Sequence, residues 1–313
     1  MYDIIGDIHG HADELVELLT KLGYSQTAEC FRHPQSRKVV FCGDFIDRGP
    51  HIPDVVRIAK AMVEGDAALA VMGNHEFNAL AFHTRDPASP GNYLRVHNKK
   101  NVQQHSHTQN QFSAEELEES LNWFRTLPAA IDLGELRVVH ACWHSADIQA
   151  IEDYSEKCGA FTPAFLKHAT TKGSTLFNAI ERVMKGPELP LPDGMTVEDK
   201  EGNTRHRIRI RWFDSPNRHT WATYSLPIKS HLPQTPIPTN APAVPYADDA
   251  PPLFVGHYWL PDNEPAPLKS NIACLDYSVA RHGMMCAYRF DGGTSLSKDR
   301  FVTVKSHDRG DTA

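Results

Sequence analysis

No segment of this chain approaches the roughly 18 consecutive apolar residues that a membrane-spanning helix needs. Nor does a basic stretch with an apolar run and a small-residue cleavage site precede Asp3-Ile4-Ile5, so an export signal is not expected. Cysteine is sparse: Cys30, Cys42, Cys142, Cys158, Cys274 and Cys286 form no CxxC pair. That argues against a thiolate zinc site or a disulfide framework and for reduced thiols filling the core of a cytoplasmic protein. A basic excess is missing too. The formal charge of −7 excludes a general nucleic-acid-binding surface, yet it permits a local cationic site for a small phosphorylated ligand. The sequence contains no internal repeat.

What is present is ordinary globular material. The 313 residues are 41% hydrophobic and 23% charged, enough for one large or two modest domains with a real core. Asp3-Ile4-Ile5, Val39-Val40-Phe41-Cys42 and Leu69-Ala70-Val71-Met72 are short apolar runs of buried-strand type. Leu15, Leu18, Leu19 and Leu22 trace a helical stripe, with Asp13 and Glu14 in its first turn and Gly23 after its end. A second helix is predicted from about Ile52 to Glu64. The alternation of strand, loop and helix indicates α/β architecture, in which ligands bind beyond the carboxyl ends of strands.

Further on, Glu115–Leu127 reads as a helix ending at Pro128, and Leu136–Val139 as a strand. Phe161–Met184 reads as helical with a break near Lys172-Gly173, and Pro187–Gly202 as a loop or hairpin. The alternation in Ile208–Phe213 suggests a strand, and Leu253-Phe254-Val255 suggests another. Asn271–Phe290 is expected to supply closing strands. The stretch His83–Phe112, with His97, His105 and His107, lacks fixed ligand spacing and reads as a polar, solvated insertion. Pro227–Pro252 is too rich in proline for a helix or central strand and reads as an extended surface excursion. The expected organisation is one domain over 1–305, with insertions at about 83–112 and 227–252, followed by a polar, frayed tail over 306–313.

Chemistry-bearing residues gather where the strands stop. Asp7 and His9 lie two apart just past the first strand, so their side chains can face one way. Asp44, Asn74, His140 and His257 follow other strands, several with glycine beside them. Carboxylate, imidazole and amide oxygen make a mixed donor set that suits Mn²⁺, Fe or Zn²⁺ better than Ca²⁺. Singly, each is an ordinary strand-end residue; their joint order makes them a site. His75 adjoins one of these residues and can protonate a departing alkoxide, with Asp47 fixing its tautomer. Arg48 offers a planar fork for two phosphate oxygens.

Three of the strand ends, GDIHG at 6–10, GDFIDRG at 43–49 and GNHE at 73–76, resemble the signature blocks of calcineurin-like metallophosphoesterases. More narrowly, they resemble the phosphoprotein-phosphatase branch, patterned GDxHG, GDxxDRG and GNHE. The resemblance spans essentially the whole chain, since His140, His257 and Asn271–Phe290 follow in the family's order. It implies a central β-sandwich flanked by helices, with the metal site at strand carboxyl ends. It further implies two divalent ions, manganese foremost with iron, zinc or nickel as alternatives. Asp7 and His9 would hold the first ion, Asp44 would bridge both, and Asn74, His140 and His257 would complete the second. Trp259 stands where members outside this branch often carry another histidine.

The implied reaction is phosphate-ester hydrolysis by in-line attack of a metal-bridging hydroxide, without a phosphoenzyme. Diadenosine tetraphosphatases of the symmetrical type share the fold but depart from DRG and use GNHD. A protein-phosphatase-like phosphomonoesterase acting on a phosphopeptide is therefore the leading expectation. A nucleotide or RNA-end substrate is the alternative, and an inactive binding scaffold is the rival of another class. Arg207, Arg209 and Arg211 qualify equally as a second phosphate-clamping arginine, on one face of a strand.

Overall fold

The computed structural model describes residues 1–198, 202–261 and 264–307. Its larger sheet runs in the order Asp276–Tyr277, Met284–Phe290, Tyr2–Ile5, Lys38–Phe41, Ala68–Ala70, with Phe301–Lys305 also paired to Met284–Phe290. Tyr2–Ile5, Lys38–Phe41 and Ala68–Ala70 are parallel, and the register pairs Ile5 with Phe41 and Phe41 with Ala70. A second sheet places Ile272–Cys274, Leu253–Val255 and Arg137–Val139 in parallel, with Ala130–Asp132 antiparallel at its edge. The Phe254 ring meets those of Tyr288 and Phe290, so the two sheets pack face to face. This is the mixed α/β sandwich with flanking helices that the sequence led one to expect.

The strands carry continuous apolar runs because both faces are covered. Leu15, Leu18 and Leu19 of helix Ala12–Lys21 are fully buried, as their stripe requires. Helix Ile52–Glu64 has its predicted bounds, and Ser113 caps helix Ala114–Phe124 through a reciprocal bond with Glu116. The break at Lys172-Gly173 separates helices Pro163–Thr170 and Thr175–Lys185. Among the described residues no helix is long and apolar enough to cross a membrane.

Four expectations need correction. The stretch 83–112 is not a solvated loop: Lys99–Gln111 is a helix capped by Asn98, and His105 and Thr108 on it are buried. It escapes detection because its inward face is polar, so no apolar stripe marks it. Gln111 ties it to the Gly49 carbonyl and the Ile52 N–H. The strand expected over Ile208–Phe213 spans only Arg207–Arg209, since the chain turns at Arg211–Asp214. Residues 227–252 form neither helix nor strand, yet Leu232, Ile237, Ala241 and Tyr246 are buried, so this segment packs onto the body. Of the expected tail, Ser306 donates to the Gly283 carbonyl and His307 N–H to Glu14, so these two residues are tied down. Residues 308–313 lie outside the described residues, as do 199–201 of the expected hairpin.

Candidate active site

Five parallel strands deliver their carboxyl ends to one edge of the sandwich. Asp7 and His9 follow Tyr2–Ile5, Asp44 follows Lys38–Phe41, and Asn74 opens the helix after Ala68–Ala70. His140 and His257 follow the two parallel neighbours Arg137–Val139 and Leu253–Val255. All six are buried. The loops that carry them are forced into unusual backbone. His9, Asp44, Asp47, Arg48, His257 and Trp259 all have φ between 47° and 73°, a region that costs non-glycine residues about 1–3 kcal/mol each. Strain concentrated on chemically capable side chains is the mark of a built site. Two glycines make the approach possible: a Cβ on Gly73 would sit 2.2 Å from Asp44 Oδ1, and one on Gly256 would sit 2.0 Å from Asp7 Oδ1.

Asp44 Oδ2 is the focus. It lies 3.3 Å from His140 Nε2, 3.6 Å from His9 Nε2 and 3.9 Å from His75 Nε2. Asn74 Oδ1 is 3.3 Å from the same His140 nitrogen. The other ring nitrogens are committed elsewhere: His9 Nδ1 donates to the Ile46 carbonyl and His140 Nδ1 to that of Cys42. Each Nε2 therefore faces the cluster, an orientation typical of metal-binding histidines. His257 Nε2 is buried with no hydrogen-bond partner among the described residues. Burial, then Asp276 and Asp44, pushes the Asp7 carboxyl well above its usual range. Burial also lowers His9 and His257, while Asp44 overcomes burial to raise His140 to about 10. Such a set is costly to bury without cations between its members. The donors fit divalent ions, grouped as Asp44 with His140 and His257 on one side and with His9 and His75 on the other.

Glu76 sets the shape of this cluster. Its Oε2 accepts from the N–H groups of Gly73 and Asp44, and its Oε1 from those of Phe45 and Ile46. One buried carboxylate thus ties the Asp44 loop to the helix bearing Asn74 and His75.

Beside the cluster, His75 Nδ1 donates to Asp47 Oδ2 at 2.6 Å. The other oxygen of Asp47 accepts from His105 Nδ1 at 2.9 Å and Thr108 Oγ1 at 2.5 Å. Burial opposes ionisation of Asp47, but His105 and His75 hold it well below the usual carboxylate range. Arg48 Nη1 reaches His9 Nε2 at 2.6 Å and Nη2 reaches His75 Nε2 at 3.3 Å, with the guanidinium 4.0 Å above the Trp259 ring. His75, Asp47 and Arg48 therefore gather with the six donors. The sequence reading named all nine, and it took His105 as part of a solvated insertion.

A cleft of about 490 Å³ opens over Asp44, Asn74, His75 and His257. Its walls carry Arg48, Arg95, Lys100, Lys185, Arg205, Arg207, Arg209 and Lys229 against the acids Asp44, Glu188 and Glu198, a cationic basin in an acidic chain. Of the three arginines proposed for the clamp, Arg207 and Arg209 line this cleft. Arg211 does not; it is held by Asp214 and the Leu268 carbonyl beyond the end of the strand. Arg209 donates to the His257 carbonyl at 2.8 Å. Arg95 is buttressed by Asn78 Oδ1 at 2.6 Å and Gln104 Oε1 at 2.9 Å. A lone arginine in a polar segment gave no signal in the sequence.

The calcineurin-like phosphoesterase model matches residues 2–164, just over half of the chain. The chain belongs to the calcineurin-like phosphoesterase family. Among curated proteins it is 49% identical over 74 residues to the asymmetrical bis(5'-nucleosyl)-tetraphosphatase PrpE of Halalkalibacterium halodurans, covering 24% of this chain and 30% of that one. Its counterpart from Bacillus subtilis is 45% identical over 74 residues, with the same shares. The chain thus spans about 30% of the length of these relatives. A protein serine/threonine phosphatase from Saccharomyces cerevisiae shares the fold with a TM-score of 0.50 at 12% identity, covering 97% of this chain and 79% of that one.

Proposed function

We propose that this protein is a dinuclear-metal-dependent phosphoesterase. The observation that carries this reading is that buried Asp44 belongs to two adjoining donor groups, one with His140 and His257 and one with His9 and His75, so it is placed to serve two ions. Asp7 and His9 would hold one ion, Asn74, His140 and His257 the other, and Asp44 both. Two divalent ions in this position would activate water and neutralise charge on phosphorus, with manganese the favoured occupant. The chain's own residues supply the rest. Arg48, steadied by Trp259, clamps the scissile phosphate through its fork. As the bond from phosphorus to the leaving oxygen breaks, its electron pair stays on that oxygen, and the proton on His75 Nε2 passes to it. Asp47, accepting from Nδ1, stabilises the imidazolium that makes this donation possible.

The cationic basin bears on the substrate. A phosphomonoester places one phosphate at Arg48, whereas Arg95, Lys100 and Arg209 extend positive charge beyond it. That extension favours a nucleotide carrying further phosphates over a phosphopeptide, a reading that reverses the order expected from the sequence blocks. The asymmetrical tetraphosphatase activity named for the partial relatives agrees with it. A Mn²⁺-supplemented panel of p-nitrophenyl phosphate, phosphopeptides, nucleoside polyphosphates and diadenosine polyphosphates tests both levels. Failure to hydrolyse any of these with Mn²⁺ defeats the phosphoesterase reading. A preference for phosphopeptides defeats the nucleotide reading alone.

A further inference from the structure

We propose that His105 is a positioning residue for the acid pair, holding Asp47 in the rotamer that serves His75. The inference rests on the phosphoesterase reading above, in which His75 protonates the leaving group. His105 is 4% exposed, on the helix Lys99–Gln111, and its neighbour Asp47 fixes the role of its Nδ1. An ionised Asp47 only accepts, so His105 must donate from Nδ1 to Oδ1. Its Nε2 then lies 3.0 Å from His83 Nε2. Burial, followed by His105 and His97, lowers His83 to about 4, which keeps it neutral. His105 therefore donates to Asp47 Oδ1 and His75 to Asp47 Oδ2, while one hydrogen bond between the Nε2 atoms of His83 and His105 steadies the ring from behind.

The need for such an array follows from the loop. Asp47 has φ of +65°, and Arg48 after it has +73°, so backbone preference does not fix the carboxylate. Thr108 closes on Asp47 from both ends, accepting its N–H at 3.0 Å and donating to Oδ1 at 2.5 Å. With His105 and Thr108 both on Oδ1, Oδ2 is left to His75. The other two histidines of this region are otherwise placed: His97 stacks between Phe82 and Tyr93, and His107 is exposed.

A residue acting through His75 matters only when the leaving group needs a proton. Phenolate demands one, whereas p-nitrophenolate departs readily as the anion. In Mn²⁺-loaded protein, His105→Leu, which keeps the buried volume, should lower kcat on phenyl phosphate about 10-fold more than on p-nitrophenyl phosphate, at unchanged metal content. His105→Asn, whose amide N–H replaces that of Nδ1, should return the ratio of the two rates towards wild type. Imidazole ¹⁵N spectra of the wild-type protein should place the His105 proton on Nδ1, a measurement that needs no variant to fold. Equal loss on both esters, no loss, or a proton on Nε2 alone overturns the assignment. Wild-type protein inactive on both esters with Mn²⁺ would instead sink the phosphoesterase reading, and this inference with it.

Discussion

Replacing Glu76 by glutamine changes no volume and removes one acceptor atom, which makes it a clean measure of how far one carboxylate organises the metal loops. Both oxygens are fully used: Oε2 takes the N–H groups of Gly73 and Asp44, and Oε1 those of Phe45 and Ile46. Glutamine keeps one oxygen and turns an NH₂ group against two buried N–H donors. Hydrogen bonds to a charged acceptor contribute about 1.5–3 kcal/mol each, so two lost bonds imply about 3–6 kcal/mol. Local relaxation recovers part of that, and about 3–5 kcal/mol is expected, in line with breaking a buried charge interaction. At roughly 2–3 °C per kcal/mol for a protein of this size, Tm should fall by about 6–15 °C. The scan belongs at pH 8 with chelator present. Burial and Asp44 push the Glu76 carboxyl up to about 7, and pH 8 keeps it ionised. Mn²⁺ affinity, measured by calorimetry, should fall as well, because Asp44 and Asn74 lie on the two segments that Glu76 joins. A Tm loss under about 2 °C would refute the claim that this carboxylate holds the loops together.

Other perturbations probe separate parts. Asp44→Asn should reduce Mn²⁺-dependent turnover at least about 1,000-fold, and near wild-type rates in excess Mn²⁺ would refute the bridging role. Trp259→Leu removes the ring 4.0 Å beneath Arg48; a cation–π contact of about 0.5–2 kcal/mol predicts a roughly 2- to 30-fold loss in kcat/KM, which Trp259→Phe should partly restore. Arg95→Ala should raise KM for a nucleoside polyphosphate several-fold and leave p-nitrophenyl phosphate unchanged, and equal effects on both would remove Arg95 from substrate binding. Burial opposes ionisation of Glu14, but bonds from His11 and the His307 N–H lower its carboxyl to about 2. Its stabilising contribution is therefore complete above the unfolded value near 4.5 and lost as pH falls towards 2. The Tm gap between wild type and Glu14→Gln should close over that window, and a gap that persists at pH 2 would count against the assignment.

The sequence by itself determined which chemistry gathers at strand ends. Short apolar runs followed by Gly6-Asp7, Gly43-Asp44, Gly73-Asn74, His140 and Gly256-His257 made both the parallel strands and the donor set legible. Each run is a local pattern, and each donor follows its strand within a few residues. Tertiary structure decided everything that depends on residues far apart meeting face to face. In the sequence Glu76 is only the last residue of GNHE, and nothing there shows that its oxygens meet four N–H groups around Asp44 and Gly73. Arg207, Arg209 and Arg211 were equivalent by period, and only the turn at Asp214 separates Arg211 from the cleft. His105 lies 58 residues from Asp47, on a helix whose inward face is polar. Hydrophobic periodicity reports burial against apolar partners, so it is blind to a helix that docks through histidine, threonine and glutamine onto a charged loop.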